Sequence, residues 1–240
     1  MLETALSRLA LKIYFVRHKD RWHLAPGQIG PELAFGAAAL PRIVFDRGAE
    51  TVARRTSAKY KAWITTDAIA LLEDLLKPTD RVFEFGAGNS TVWLASMVGQ
   101  VTSVEEAADW AEMVRQRAKD NGYDNVDVRL VPVAGKRDTV EHREAYINAA
   151  PEIEAGSLGM VLVDGQYRDE CALRGLGLLR SGGLLVLDNA ETYLPSDSRS
   201  PWVIKAPATL KWAQFLEEVA EWRNIWTTNG VWDTAIWIKP

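Results

Sequence analysis

From residue 65 onward, short β-prone runs alternate with stretches of helical periodicity, and no other feature constrains the fold as much. The strand candidates are Arg81–Phe85, Val101–Glu105, Val126–Val131, Leu158–Val163 and Leu184–Asp188. A first helix, capped by Thr65 or Thr66 and running to Lys77, is stopped by Pro78. Further helices are predicted at Thr91–Val98, Ala107–Asp120, Thr139–Ala149 and Asp169–Leu179. Apolar strands joined by helical crossovers pair in parallel and are covered on both faces. A last helix near Ala208–Ala220 leads to Trp222–Thr227 and Val231–Ile238, which flank Asn229-Gly230, a strong hairpin signal. The pattern therefore reads as an α/β fold over residues 63–240, with a doubly wound, mostly parallel sheet finished by a C-terminal antiparallel hairpin.

Residues 1–62 form a separate N-terminal extension that reads as helical. Leu2, Leu6, Leu9, Ile13 and Val16 make one apolar seam along residues 1–24, suited to packing on the chain's own domain or to a homodimer contact. No apolar stretch approaches the roughly 20 residues that span a bilayer. Arg8 and Lys12 interrupt the only N-terminal apolar pattern, which argues against a secretory signal. The single cysteine, Cys171, rules out an intrachain disulfide framework. With 28 basic against 32 acidic side chains the formal net charge is −4, which carries no electrostatic footprint for nucleic acid. These features lead to an expected cytoplasmic protein with no stable membrane insertion and no nucleic-acid partner.

The segment Glu84-Phe85-Gly86-Ala87-Gly88-Asn89-Ser90 is a strand end, a glycine turn and a helix start. Gly86 and Gly88 permit a tight turn and close approach of the backbone to a ligand. Thr91 stands where a dinucleotide fingerprint has its third glycine, and Glu84 lies inside the strand. A buried anion there repels a pyrophosphate and suits a cofactor carrying an ammonium and a sulfonium. Glu105 closes the second strand 19 residues beyond Gly86, where an acid accepts from ribose hydroxyls in nucleotide-binding α/β folds. Asp164-Gly165 ends the fourth strand, and Asp188-Asn189 ends the fifth.

Glu84 to Ser90, the Val104-Glu105 strand end and Asp164-Gly165 resemble the motifs of class I S-adenosylmethionine-dependent methyltransferases. The similarity covers roughly residues 65–240. It implies a seven-stranded, Rossmann-like sheet with one antiparallel strand and S-adenosylmethionine lying over the C-terminal ends of the first strands. Carried over by position, Phe85, Gly86, Ala87, Gly88, Asn89 and Ser90 wrap the methionine part, and Glu84 serves its ammonium. Glu105 serves the ribose, Trp110 lines the adenine side or simply packs helix on sheet, and Asp164 touches cofactor or acceptor.

Asp164, Asp188 and Asn189 end neighbouring parallel strands, and three oxygen donors there could hold Mg²⁺ or Ca²⁺. This arrangement is similar to the metal-dependent catechol and caffeoyl-CoA O-methyltransferase group. That group's lysine base, however, is replaced by Tyr167, and Arg168 stays charged and cannot serve as a base. In the metal-free alternative Asp164, Asp188 or Tyr167 accepts a proton from the acceptor. His18, His23 and His142 all lie outside the motif loops. The long segment 190–207 is a candidate cover for the acceptor, with Trp202 in it. The expected function is methyl transfer from S-adenosylmethionine to a small-molecule acceptor through an oxygen nucleophile. The alternatives are aminopropyl transfer on the same fold and a non-catalytic binding module.

Overall fold

The computed structural model describes residues 60–133 and 139–240. The extension read over residues 1–62, with its dimerisation seam, falls outside these residues except for its last three. In chain order the elements are α1 (Thr66–Leu75), β1 (Arg81–Phe85), α2 (Asn89–Ala95), β2 (Gln100–Glu105), α3 (Ala108–Asp120), β3 (Val126–Leu130) and α4 (Val140–Ile147). There follow β4 (Leu158–Val163), α5 (Arg168–Leu178), β5 (Leu179–Asp188), a short 3₁₀ turn (Ala190–Thr192), α6 (Leu210–Glu218), β6 (Arg223–Thr228) and β7 (Asp233–Ile238).

The seven strands form one sheet in the order β3-β2-β1-β4-β5-β7-β6. β1 through β5 pair in parallel, while β7 runs antiparallel to both β5 and β6. The strand order reverses direction between β1 and β4, and a crevice opens at such a switch point beyond the C-terminal ends of the strands. Every residue of β4 is buried, as expected of a central parallel strand covered on both faces. One face packs Phe83, Phe85, Val161, Leu185 and Trp237 against Tyr146, Cys171, Trp212 and Phe215. The opposite face packs Val82, Met160, Val186 and Ile236 against Leu72, Trp93 and Leu94. Each such large side chain contributes about 1.5–3 kcal/mol on burial, so this double layer makes the sheet a rigid platform for its loops.

Local chemistry explains where the elements depart from the pattern read in the sequence. α1 ends at Leu75 and not at Lys77, because the residue before Pro78 is driven out of helical conformation and Leu76 is already extended (ψ 147°). β5 begins at Leu179 and not at Leu184, taking in Ser181, Gly182 and Gly183, and its register against β4 shifts between Leu158 and Met160. The hairpin closes through a four-residue loop, since Thr228 pairs with Asp233. Asn229 Oδ1 accepts from the N–H groups of Val231 and Trp232 (3.0 and 2.9 Å), which keeps both out of β7.

Candidate cofactor and acceptor site

The turn after β1 is held by the neighbouring strand and by a partner glycine. The N–H groups of Gly86 and Ala87 donate to Val104 O (3.0 and 3.2 Å), so the loop bends across the end of β2. Gly86 has φ +99°, and a Cβ there would lie 2.7 Å from Cα of Gly165. A Cβ on Gly165 would lie 2.1 Å from the hydroxyl of Tyr146. The two glycines thus let the loops after β1 and β4 touch backbone to backbone at the switch point. Gly88 is different. Its backbone is extended (φ −170°), and its nearest neighbour to a Cβ is Ser90 Oγ at 3.7 Å. Neither strain nor crowding requires glycine at 88, so its missing side chain leaves room above the loop.

Glu84 does not point into that room, which corrects its expected role toward an ammonium group. It is fully buried, and three hydroxyls donate to its carboxylate: Ser90, Thr91 (2.5 Å) and Ser103 (2.6 Å). Thr91 Oγ1 also accepts from the Gly88 N–H (2.9 Å), so the residue in the third-glycine position ties the loop to Glu84. Burial pushes the Glu84 carboxyl up to about 7, opposed by the three hydroxyls. Glu84 is therefore the floor of the loop. Phe85 likewise contributes no side chain to the site, because its ring is buried edge-on against Phe83, with centroids 4.6 Å apart.

Glu105 lies at the tip of β2, half-buried, and its Oε1 accepts from the N–H groups of Glu106 and Ala107 (both 2.9 Å). Burial raises its carboxyl, and those two N–H groups act against the rise. Trp110 Nε1 donates to Ala87 O (2.6 Å), which fixes the indole against the glycine loop. Asn89 Oδ1 accepts from Arg117 (2.8 Å). The loop residues Gly86–Ser90, Glu105 and Trp110 therefore gather at one edge of the sheet. A glycine cradle with an unfilled position above Gly88 and an acid at the end of β2 fits an adenosyl cofactor.

The acids ending β4 and β5 do not fit a metal, which corrects that reading of Asp164, Asp188 and Asn189. The guanidinium of Arg168 already lies among them. Its Nε donates to Gly165 O (3.0 Å), Nη1 to Asp188 O (2.7 Å) and Asn189 Oδ1 (3.3 Å), and Nη2 to Asp164 O (2.8 Å) and Asp164 Oδ1 (2.9 Å). An arginine has five N–H donors, and all five are used here. Asp188 is buried, and its Oδ1 accepts from the Thr234 hydroxyl (2.9 Å). That bond braces β7 against β5, and burial and the nearby Asp164 raise the Asp188 carboxyl. The Asp164 side chain, one-third exposed (33%), is the open member of the group.

Tyr167 and Asn189 are the two non-glycine residues with positive φ among those described (48° and 53°). They sit at equivalent places, just after β4 and β5, and such left-handed backbone concentrates at functional sites. The structure also brings in His142, which lies outside the motif loops: its Nδ1 lies 2.9 Å from the Tyr167 hydroxyl. No local signal links the two, since 25 residues separate them. Glu191, also unforeseen, is fully buried beside Asp233, whose N–H donates to its Oε2 (2.9 Å). Burial first and then Asp233 push the Glu191 carboxyl up to about 9. Trp202, in the segment read as a cover, lies parallel to Trp232, with centroids 6.0 Å apart.

Solved structures share this architecture. A methyltransferase-like protein from Silicibacter pomeroyi is 21% identical, with 75% of this chain and 90% of that one covered and a TM-score of 0.52. A candidate O-methyltransferase from Klebsiella pneumoniae is 18% identical, with all of both chains covered and a TM-score of 0.50. The chain has the fold of the class I S-adenosylmethionine-dependent methyltransferases, which its motifs resemble. In sequence, it is 33% identical over 90 residues to protein-L-isoaspartate O-methyltransferase 1 of Polaromonas sp. (strain JS666 / ATCC BAA-500). That match spans 35% of this chain and 38% of the relative. No protein-family model matches the chain.

The expectation of no nucleic-acid partner is overturned. Structures similar to this one include an rRNA methylase from Streptococcus thermophilus, 15% identical, with 71% of this chain and 92% of that one covered and a TM-score of 0.47. A net charge summed over the whole chain does not exclude a local surface for nucleic acid. Among the described residues no helix is long and apolar enough to cross a membrane.

Proposed function

We propose that this protein transfers the methyl group of S-adenosylmethionine to an oxygen nucleophile, without a metal ion, and that residues 63–240 form the catalytic unit. One observation carries the reading: a glycine loop pinned to β2 and to Gly165 at the switch point, with Glu105 at its rim and open room over Gly88. When bound, S-adenosylmethionine supplies a methyl group on an electrophilic sulfonium. The chain's own part is to align and to desolvate, which is most of what such a displacement needs. In this reading the backbone of Gly86–Ser90 lies along the amino-acid part and Glu105 takes the ribose hydroxyls. Trp110 borders the base, and Asp164, the exposed acid of the Arg168 group, faces the cofactor's charged end. Tyr167 is placed on the acceptor side.

The test is a calorimetric titration of the full chain with S-adenosylhomocysteine, the unreactive product. Saturable one-to-one binding is expected, and well-folded protein that binds none ends the proposal. In the same titration Glu105→Ala should weaken binding at least tenfold, about 1.4 kcal/mol, as befits a charged hydrogen bond to a ligand hydroxyl. Affinity unchanged by that substitution would remove Glu105 from the ribose role.

A further inference from the structure

His142 stands in the first turn of α4, with its N–H donating to the Thr139 hydroxyl (3.1 Å), and only 8% of its surface is exposed. Its ring is held at both nitrogens. Nε2 lies 3.1 Å from Val131 O, and Nδ1 lies 2.9 Å from the hydroxyl of Tyr167. A carbonyl oxygen can only accept, so Nε2 carries the hydrogen. A neutral imidazole has a single N–H, so Nδ1 is left as a bare lone pair and Tyr167 O–H donates to it. The hydrogen-bond network thus fixes the tautomer.

Both ends of this chain of bonds lie on the ligand-binding edge of the sheet. Val131 follows β3, and its N–H donates to Glu105 O (2.8 Å). Tyr167 follows β4 in left-handed conformation, two residues after Gly165, at the switch point. Its ring is set by edge-on packing against Tyr146 and His142, with centroids 5.8 and 5.9 Å apart. The charged group over that ring is Arg143, 5.3 Å from its centre, which is paired with Glu170 at 3.5 Å. A hydroxyl donating to a histidine whose other nitrogen is fixed by an acceptor is the arrangement by which proteins raise a hydroxyl's capacity to exchange protons.

We infer that Tyr167 and His142 form a proton relay for a hydroxyl-bearing acceptor. This rests on the methyltransferase reading and deepens it. The acceptor oxygen forms its bond to the methyl carbon while the carbon–sulfur bond breaks and its electron pair stays on sulfur. The acceptor's proton passes to Tyr167 Oη as the Tyr167 proton passes to His142 Nδ1. One positive charge leaves the sulfur and one arises on the imidazole. Tyr167 is the catalytic residue, touching the acceptor, and His142 is a positioning residue acting through it. A carboxylate acceptor has no such proton to lose, so the relay assigns the substrate class as alcohols or phenols.

The test begins without an acceptor, on the full chain with ¹⁵N-labelled histidine. Long-range proton–nitrogen spectra report which ring nitrogen carries the hydrogen, and His142→Gln identifies the signal. An Nε2-protonated ring is expected, with its Nδ1 resonance displaced in Tyr167→Phe, a change that removes one oxygen and leaves the packing in place. S-adenosylhomocysteine affinity should stay within twofold of wild type in that variant. An Nδ1-protonated ring, or an Nδ1 resonance blind to Tyr167→Phe, overturns the relay. Failure of wild type to bind S-adenosylhomocysteine overturns the methyltransferase reading instead and leaves the tautomer result standing. With tritiated S-adenosylmethionine and a pool of phenols and alcohols, Tyr167→Phe and His142→Gln should each slow transfer by about 10²–10⁴-fold. The two together should cost little more than either alone. Label that reaches no hydroxyl compound, or that reaches one at the wild-type rate in both variants, overturns the relay.

Discussion

Adjacent parallel strands carry their carboxylates in opposite ways. On β1, Glu84 is buried among Ser90, Thr91 and Ser103, with neutral hydroxyls for partners and its carboxyl pushed up to about 7. After β4, burial raises the Asp164 carboxyl too, but here the charge and hydrogen bond of Arg168 oppose the rise, and the remaining donors of Arg168 are spread over Gly165, Asp188 and Asn189. The first arrangement lets a proton settle the charge, whereas the second uses a fixed cation that cannot be titrated away. A glycine loop that must lie flat under a ligand is thus supported by a group able to become neutral. The floor between β4 and β5 is bolted by charge, and it is the floor a metal would otherwise occupy.

Breaking the bolt should have the largest effect. Arg168→Met removes five donors and leaves Asp164 without its cation, and we expect a loss of about 3–5 kcal/mol in urea unfolding. A loss under 1 kcal/mol would show that the guanidinium is an ornament of the turn. Next comes the pH dependence of the β1 site. Glu84 has a native pKa of about 7 against 4.5 for the ordinary carboxyl, so its stabilising contribution is full below pH 4.5 and is lost as pH rises through 7. The span is roughly 3 kcal/mol, and Glu84→Gln should flatten that part of the stability profile. An identical slope in variant and wild type would return Glu84 to a permanently charged state. Thr91→Val keeps the shape but removes one hydroxyl from Glu84 and the acceptor for the Gly88 N–H, and should cost about 1–3 kcal/mol. The smallest expected effect is that of a chelator. Excess EDTA should leave both the melting temperature and S-adenosylhomocysteine affinity unchanged, and a shift in either would reopen the metal question at Asp164 and Asp188.

The difference between the two regions also marks what the residues could reveal in advance. The alternation of strands and helices, the Gly86 turn and the placement of Glu105 follow from local pattern, because period, glycine and strand end are local properties. The orientation of Glu84 is not local. Ser103 faces it only through the register of β1 against β2, and Thr91 reaches it from the following helix. The clamp on Arg168 is harder still to read, since three of its five acceptors are main-chain carbonyls, which every residue carries. The metal reading failed for that reason: the side chains suited a cation, and the cation was already encoded four residues further on. His142 and Tyr167 meet across α4 and β4, a pairing that no spacing rule anticipates.

The place of β7 in the sheet sets an order on how the chain can fold. It comes last of the seven strands in sequence, yet it lies inside the sheet and supplies both partners' bonds, to β5 on one side and β6 on the other. Until it inserts, β5 keeps a long open edge of apolar residues, and β6 has no neighbour at all. The Thr65 N–H, at the head of α1, then bonds Thr234 Oγ1 on that strand across 169 residues. That bond ties the head of α1 to the final hairpin. During synthesis the glycine loop, β2 and β4 can assemble early, while the half of the site built on β5 waits for a strand that emerges last.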